Sequence, residues 1–200
     1  RFVSEGDFLK LNFLEDEEQI PERIKVYTVK SPEKDKLEVL SKLLCYLGDK
    51  SSLVFVNYRE SVERVYRYLL QAGISCEMFH GGMEQKDRER ALYKFSNGSC
   101  NVFVSTDLAA RGLDIPNIDH VIHYHLPLNE DAYIHRNGRT ARWDASGNVF
   151  LILGPEEYLP EFIQQIPEDY VWEGPKPDPA KPQWVTLYIG KGKKDKINKG

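Results

Sequence analysis

Residues 52–70 read SLVFVNYRESVERVYRYLL, and this stretch decides the fold. Ser52 to Val56 is a short run rich in β-formers and apolar at successive positions, which suits a strand covered on both faces. Val62, Val65, Tyr66, Leu69 and Leu70 then recur at i, i+3, i+4, i+7 and i+8, giving the following helix one apolar face. A two-sided strand leading directly into an amphipathic helix is the repeating unit of a parallel sheet.

The same alternation extends both ways. Upstream, Ile24 to Val29 reads as a strand, and Ser31-Pro32 offers an N-cap and a first-turn proline for a helix carrying Leu37, Leu40, Leu43, Leu44 and Leu47. Downstream, strands are predicted over Ser75–Phe79, Asn101–Ser105, Val121–His125 and Asn148–Leu153. Helices are predicted over Gln85–Phe95 and from Asn129 to about Arg139. The pattern predicts an α/β domain of three layers, αβα, around a mostly parallel sheet. Ligands of such sheets bind beyond the carboxyl ends of the strands, which points to the segments after Val56, Phe79, Ser105 and His125.

Two hundred residues, 41% hydrophobic and 29% charged, suffice for one compact domain with an appendage but not for two catalytic domains. The longest apolar runs, such as Val149 to Leu153, are only strand-length, so no membrane span is expected. A net charge of -4 carries no global signature of nucleic acid, and an anion site must come from local clustering. Cys45, Cys76 and Cys100 are odd in number, widely spaced and set in apolar stretches, which argues for free thiols in a reducing, cytoplasmic setting.

Composition divides the chain further. Residues 1–23 lack periodicity and read as an arm or interdomain linker; residues 24–173 form the predicted domain. Residues 174–183 are a proline-rich, semi-rigid spacer. Residues 184–200 open with a strand-like run, Trp184 to Ile189, with nothing after it that could pack over that strand, as in the start of a truncated further domain. The first 22 residues hold seven acidic and two basic side chains, opposite to a targeting peptide, and Arg1 stands where Met is expected, as in an excised fragment.

Four segments can carry chemistry. His135-Arg136-Asn137-Gly138-Arg139-Thr140-Ala141-Arg142 brings three arginines together where a helix gives way to a turn. Their planar, permanently charged forks suit phosphate oxygens, although the same spacing also makes a carboxylate-paired basic face. In VFVSTDLAARGLDIP (Val102–Pro116), Thr106 can hold a phosphate and Asp114 a sugar hydroxyl; alternatively Thr106 and Asp107 simply cap a helix and Arg111 pairs with Asp114. His80-Gly81-Gly82 and the helix opening through Arg88 can face one anion, or be a glycine turn with surface charge pairs. Asn57-Tyr58-Arg59 can touch a phosphate or cap a helix. No G-x-x-x-x-G-K-[ST] loop and no strand-end Asp-Glu pair is present, so hydrolysis of a nucleoside triphosphate in the P-loop manner by this chain alone is not expected, and no metal site is assigned.

Taken in order, VFVNYR (Val54–Arg59), HGGMEQKDR (His80–Arg88), STDLAARGLDIP (Ser105–Pro116) and YIHRNGRTAR (Tyr133–Arg142) resemble the motifs of the second RecA-like domain of DEAD-box RNA helicases. The resemblance spans about residues 24–155. It implies a RecA-like fold without a phosphate loop, which closes on an amino-terminal RecA-like domain that binds ATP and Mg²⁺. On motif matching, Arg139 and Arg142 resemble the catalytic arginine fingers, Asp114 the ribose contact, and His135 and Arg136 groups that join the two domains at the nucleotide. Arg59, Gly81, Gly82, Arg88 and Thr106 match positions touching the RNA backbone, with Gln85 supporting Arg88. The chain departs from the family pattern at Gly82, usually Asp, at Asn137, usually aliphatic, and at Ala141, usually Gly. The tail is similar to the opening of the auxiliary RNA-binding domain of DbpA-like helicases, implying ribosomal RNA as target and a role in ribosome assembly. A non-catalytic RNA or protein docking module is the competing reading, favoured by seven Lys against two Asp from Pro175 onward.

Overall fold

The computed structural model describes residues 24–111, 115, 118–140 and 146–187. Strands β1 (Ile24–Lys30), β2 (Ser52–Phe55), β3 (Cys76–Phe79), β4 (Val102–Ser105), β5 (His120–His123), β6 (Gly147–Leu153) and β7 (Glu168–Asp169) form one sheet in the order β3-β4-β2-β5-β6-β1-β7. Every pairing among these strands is parallel. Helices α1 (Leu37–Leu47), α2 (Arg59–Gln71), α3 (Gln85–Ser96), α4 (Asp107–Ala110) and α5 (Glu130–Asn137) fill the crossovers. The predicted three-layer α/β architecture is therefore the one adopted.

Strand alternation builds two cores. Val54, Val104, Ile122, Phe150 and Ile152 point to one face and pack under α1 and α2 through Leu40, Leu43, Val62, Val65 and Leu69. Leu53, Phe55, Phe103, Val121 and Leu151 point to the other, under Ala91 and Phe95 of α3, Ala110 of α4 and Tyr133 of α5. Each fully buried aliphatic or aromatic side chain contributes about 1.5–3 kcal/mol.

One helix starts later than predicted. Ser31 does not cap a helix: its N–H donates to Leu153 O at 2.7 Å, continuing the β1–β6 ladder, and its hydroxyl donates to Glu33 O at 2.8 Å. With Ser31 committed to the sheet, α1 begins only at Leu37. Lys36, immediately before it, is buried and donates from Nζ to Ile152 O (3.0 Å) and Glu157 Oε2 (2.6 Å). Burial lowers the Lys36 pKa against the raising effect of Glu157. The three cysteines are free and buried, and burial raises the thiol of Cys100 to about 12. Among the described residues no helix is long and apolar enough to cross a membrane.

Candidate nucleotide and RNA interface

A shallow cleft opens between α4 and α5, beyond the carboxyl end of β2. It is lined by Phe55, Asp107, Arg111, His135, Arg136 and Arg139, among others. Sequence alternation brings these groups together. The β4 strand ends at Ser105, and Thr106 caps α4 by accepting from Ala109 N at 3.4 Å. Asn129 caps α5 likewise, accepting from Ala132 N at 2.9 Å. Asp107 at the start of α4 and Arg136 in α5 then meet as an ion pair.

Arg136 is the cleft's floor and is only 1% exposed. Its five N–H donors each have a partner. Nε and Nη2 form a fork on Asp107 Oδ1 (2.5 Å) and Oδ2 (2.7 Å), and Nη2 also donates to Asn57 Oδ1 at 2.8 Å. Nη1 donates to His125 O at 2.7 Å and lies 3.3 Å from His123 Nδ1, while the guanidinium carbon stands 5.1 Å from the centre of the Phe55 ring. A buried arginine needs such complete pairing, because an uncompensated charge there costs several kcal/mol. Expected among the groups joining the two domains at the nucleotide, Arg136 lines the cleft while its guanidinium ties the ends of β2, β4 and β5 to α5. Asp107 and Asn57, the groups that hold it, were singled out in the sequence only as caps or phosphate contacts.

The pairing fixes one histidine tautomer. His123 Nδ1 must accept from Arg136, so Nε2 carries the proton and donates to Asn137 Oδ1 at 2.9 Å. Burial, and then the neighbouring Arg136 charge, push the His123 pKa down to about 3. Asn137, which departs from the family pattern, is therefore the hydrogen-bonding complement of a buried histidine. His125 is lowered to about 4, chiefly by burial and then by Lys36, and its Nδ1 accepts from Asn57 N at 3.1 Å.

His135 is exposed, Arg139 is half-buried and both line the cleft with Arg111. Asp114, Ala141 and Arg142 lie outside the described residues. The donor set suits phosphate oxygens. The cleft's one carboxylate, Asp107, is already forked by Arg136, and among the described residues no group of side chains is arranged to hold a metal ion. The guanidinium groups lining the cleft are of the kind that bind phosphate oxygens.

A second group lies at the ends of β2 and β3. Arg59 is exposed and reaches over the His80-Gly81-Gly82 turn: a Cβ placed on Gly81 would sit 3.3 Å from Arg59 Nη2. Gly82 N donates to His80 Nδ1 at 3.1 Å, and a Cβ on Gly82 would meet that ring at 3.1–3.2 Å. The absence of the family's aspartate lets the turn close against His80. On α3, Arg88 Nη2 donates to Gln85 Oε1 at 2.7 Å, which orients the guanidinium. Thr106 is half-buried, its hydroxyl oxygen engaged in capping α4.

The chain belongs to the helicase conserved C-terminal domain family, whose model matches residues 35–144. Its structural neighbours are DEAD-box proteins. The structure of the C-terminal domain of the DEAD-box protein Dbp5 superposes with a TM-score of 0.60 at 30% identity, over 67% of this chain and 78% of that one. A chain of the E. coli DEAD-box protein SrmB bound to regulator of ribonuclease activity A does so with a TM-score of 0.66 at 32% identity, over 80% of this chain and 98% of that one. The ATP-dependent RNA helicase mak5 of Emericella nidulans is 41% identical over 162 residues, which is 75% of this chain and 21% of that protein. The chain thus spans about a fifth of the length of such curated relatives.

Proposed function

We propose that this domain is the closing half of an ATP-dependent RNA helicase core that acts in the cytoplasm and is inactive by itself. Its partner is the amino-terminal RecA-like domain of the same protein, which holds ATP and Mg²⁺. Arg139 and Arg142 serve as arginine fingers, stabilising charge on the transferring phosphoryl group; Asp114 accepts from the ribose, and His135 meets the partner domain near the nucleotide. Arg136 acts from behind, as the anchor that fixes α5 and hence the finger segment. Arg59, Gly81, Gly82, Arg88 and Thr106 contact the RNA backbone, with Gln85 orienting Arg88. Such contacts position RNA without reading its sequence. Ribosomal RNA, in ribosome assembly, is the proposed target.

The observation carrying this reading is the convergence of Arg111, His135 and Arg139 in one cleft at the carboxyl end of the sheet, above an arginine already neutralised by Asp107. Such a cleft gathers donors of the kind that bind phosphate oxygens. Phosphoryl transfer relies on positioning and charge stabilisation, and an arginine finger contributes about 10³–10⁵ in rate. Joined to the amino-terminal domain, Arg139→Ala or Arg142→Ala should lower RNA-stimulated ATP hydrolysis by at least about 10²-fold. An unaltered turnover number would remove the finger assignment. The 200-residue chain alone should release no phosphate from ATP, measured with and without RNA.

A further inference from the structure

The proline-rich segment after the domain reads as a spacer, yet the structure seats it. All described strands are parallel, so α1, α2 and α3 each end at the amino end of the sheet, opposite Arg59, Gly81, Thr106 and Arg139. Each of these helices is followed, within two residues of its last turn, by a glycine of positive φ: Gly48, Gly73 and Gly98. The chain from Tyr170 onward passes the end of α1, where nothing stands within 4 Å of a Cβ at Gly48, and then lies over Gly73 and Gly98.

The first station is the end of α1. Trp172 packs against Tyr46 with ring centres 5.3 Å apart and against Tyr170 at 5.1 Å, and Lys42 Nζ stands 4.2 Å over its ring. Tyr46 Oη donates to Gly174 O at 2.8 Å. At the second station Pro179 covers Gly73, with Cγ 3.8 Å from where a Cβ would be. The third station is the α3–β4 connection. Trp184 lies over Gly98, Asn97 Nδ2 donates to Thr186 Oγ1 at 3.0 Å, and the Ser99 and Thr186 hydroxyls are 2.7 Å apart. Tilted and edge-on ring contacts, a cation over an aromatic face and polar contacts at both the first and the third station are not the behaviour of a free tether.

We infer that residues 170–187 are a docked strap, and that the surface made by the ends of α1, α2 and α3 is its binding site. The strap carries the chain from the β1–β7 edge of the sheet to the β3–β4 edge. Its consequence is geometric: Leu187, the last described residue, lies beside α3 at the end of the sheet remote from the RNA-contact candidates. Proline at 175, 177, 179 and 182 lowers the ordering cost of the docked state by restricting the undocked one.

The test uses the whole 200-residue chain. In a Ser99→Cys/Thr186→Cys variant the two sulfurs replace hydroxyls already in contact, and the native cysteines are buried. Mild oxidation should produce an internal disulfide, seen as loss of two reactive thiols and a gel shift reversed by reductant. Both thiols remaining reactive would overturn the strap. Independently, thermolysin should cut before Val185 or Leu187 about tenfold more slowly in the wild-type chain than in a Trp172→Ala/Thr186→Ala variant. Equal, rapid cutting in both would overturn it as well.

Discussion

Arg136 shows how one buried charge sets the chemistry of its neighbours. Its fork on Asp107 leaves Nη1 to approach His123, and that contact is possible only while His123 is neutral. The folded pKa of His123, about 3, lies below its ordinary value of 6.5, so between these limits the unfolded chain binds the extra proton. Stability should therefore fall as pH drops from about 6.5 toward 4, by roughly 1.4 kcal/mol per pH unit from this residue. His125, lowered to about 4, adds to the same slope. Thermal unfolding followed from pH 7 to 4 should show the steep decline, flattened in a His123→Leu/Asn137→Ile variant that removes donor and acceptor together. Equal slopes in both proteins would mean that His123 is not held neutral. None of this pairing was legible in the sequence. Asp107 and Arg136 are 29 residues apart, and no local pattern joins a strand-end carboxylate to a helical arginine across the sheet.

Elements were legible where apolar periodicity marks burial on a regular surface, and not where a polar contact fixes the boundary. Six of the strands and the four longer helices follow from such periods, since Val62, Val65 and Leu69 are buried as their spacing predicts. The start of α1 was missed because Ser31 is drawn into the β1–β6 ladder. Strand β7 gave no signal: it is two acidic residues, held by Thr28 Oγ1 on Asp169 Oδ1 at 2.6 Å and by Lys30 Nζ on Asp169 Oδ2 at 2.8 Å. The junction of Thr140 with β6 is also invisible in sequence. Thr140 forms a bridge with Ile118, its hydroxyl donates to Ile118 O, and Gly147 begins β6 directly against it. A Cβ on Gly147 would stand 2.0 Å from Thr140 Oγ1 and 2.8 Å from its Cβ. Gly147→Ala should therefore push Thr140 off the bridge and cost about 2–3 kcal/mol, an overpacking penalty at a site with no room to give. Urea unfolding should show the lowered midpoint at an unchanged m-value; a midpoint equal to wild type would show that the segment from Thr140 to Gly147 can yield without cost.

For the molecule as a whole, the sign of the net charge and the sign of the proposed RNA surface disagree. The chain carries -4, but its acidic residues are spread along the sequence, while Arg59 reaches over the exposed Gly81-Gly82 turn and Arg88 stands in the first turn of the helix that follows it. Long-range attraction to RNA is accordingly weak, and affinity must come from a few phosphate contacts, each releasing a condensed counterion. Binding of a single-stranded RNA to the domain should weaken with salt, and Arg59→Ala should lower the slope of log K against log [salt] by about 0.7. Arg88→Ala should act similarly, and Gln85→Ala less, since it only frees the Arg88 guanidinium from its 2.7 Å partner. Arg67, exposed on α2 and paired with Glu63, serves as the control: its replacement by Ala should leave the slope unchanged. The loss caused by Arg59→Ala should be equal for homopolymer and mixed-sequence RNA, because phosphates carry no sequence information. If instead Arg59→Ala and Arg67→Ala shift the slope alike, binding is a diffuse property of the surface and the built group at the ends of β2 and β3 is not the RNA contact.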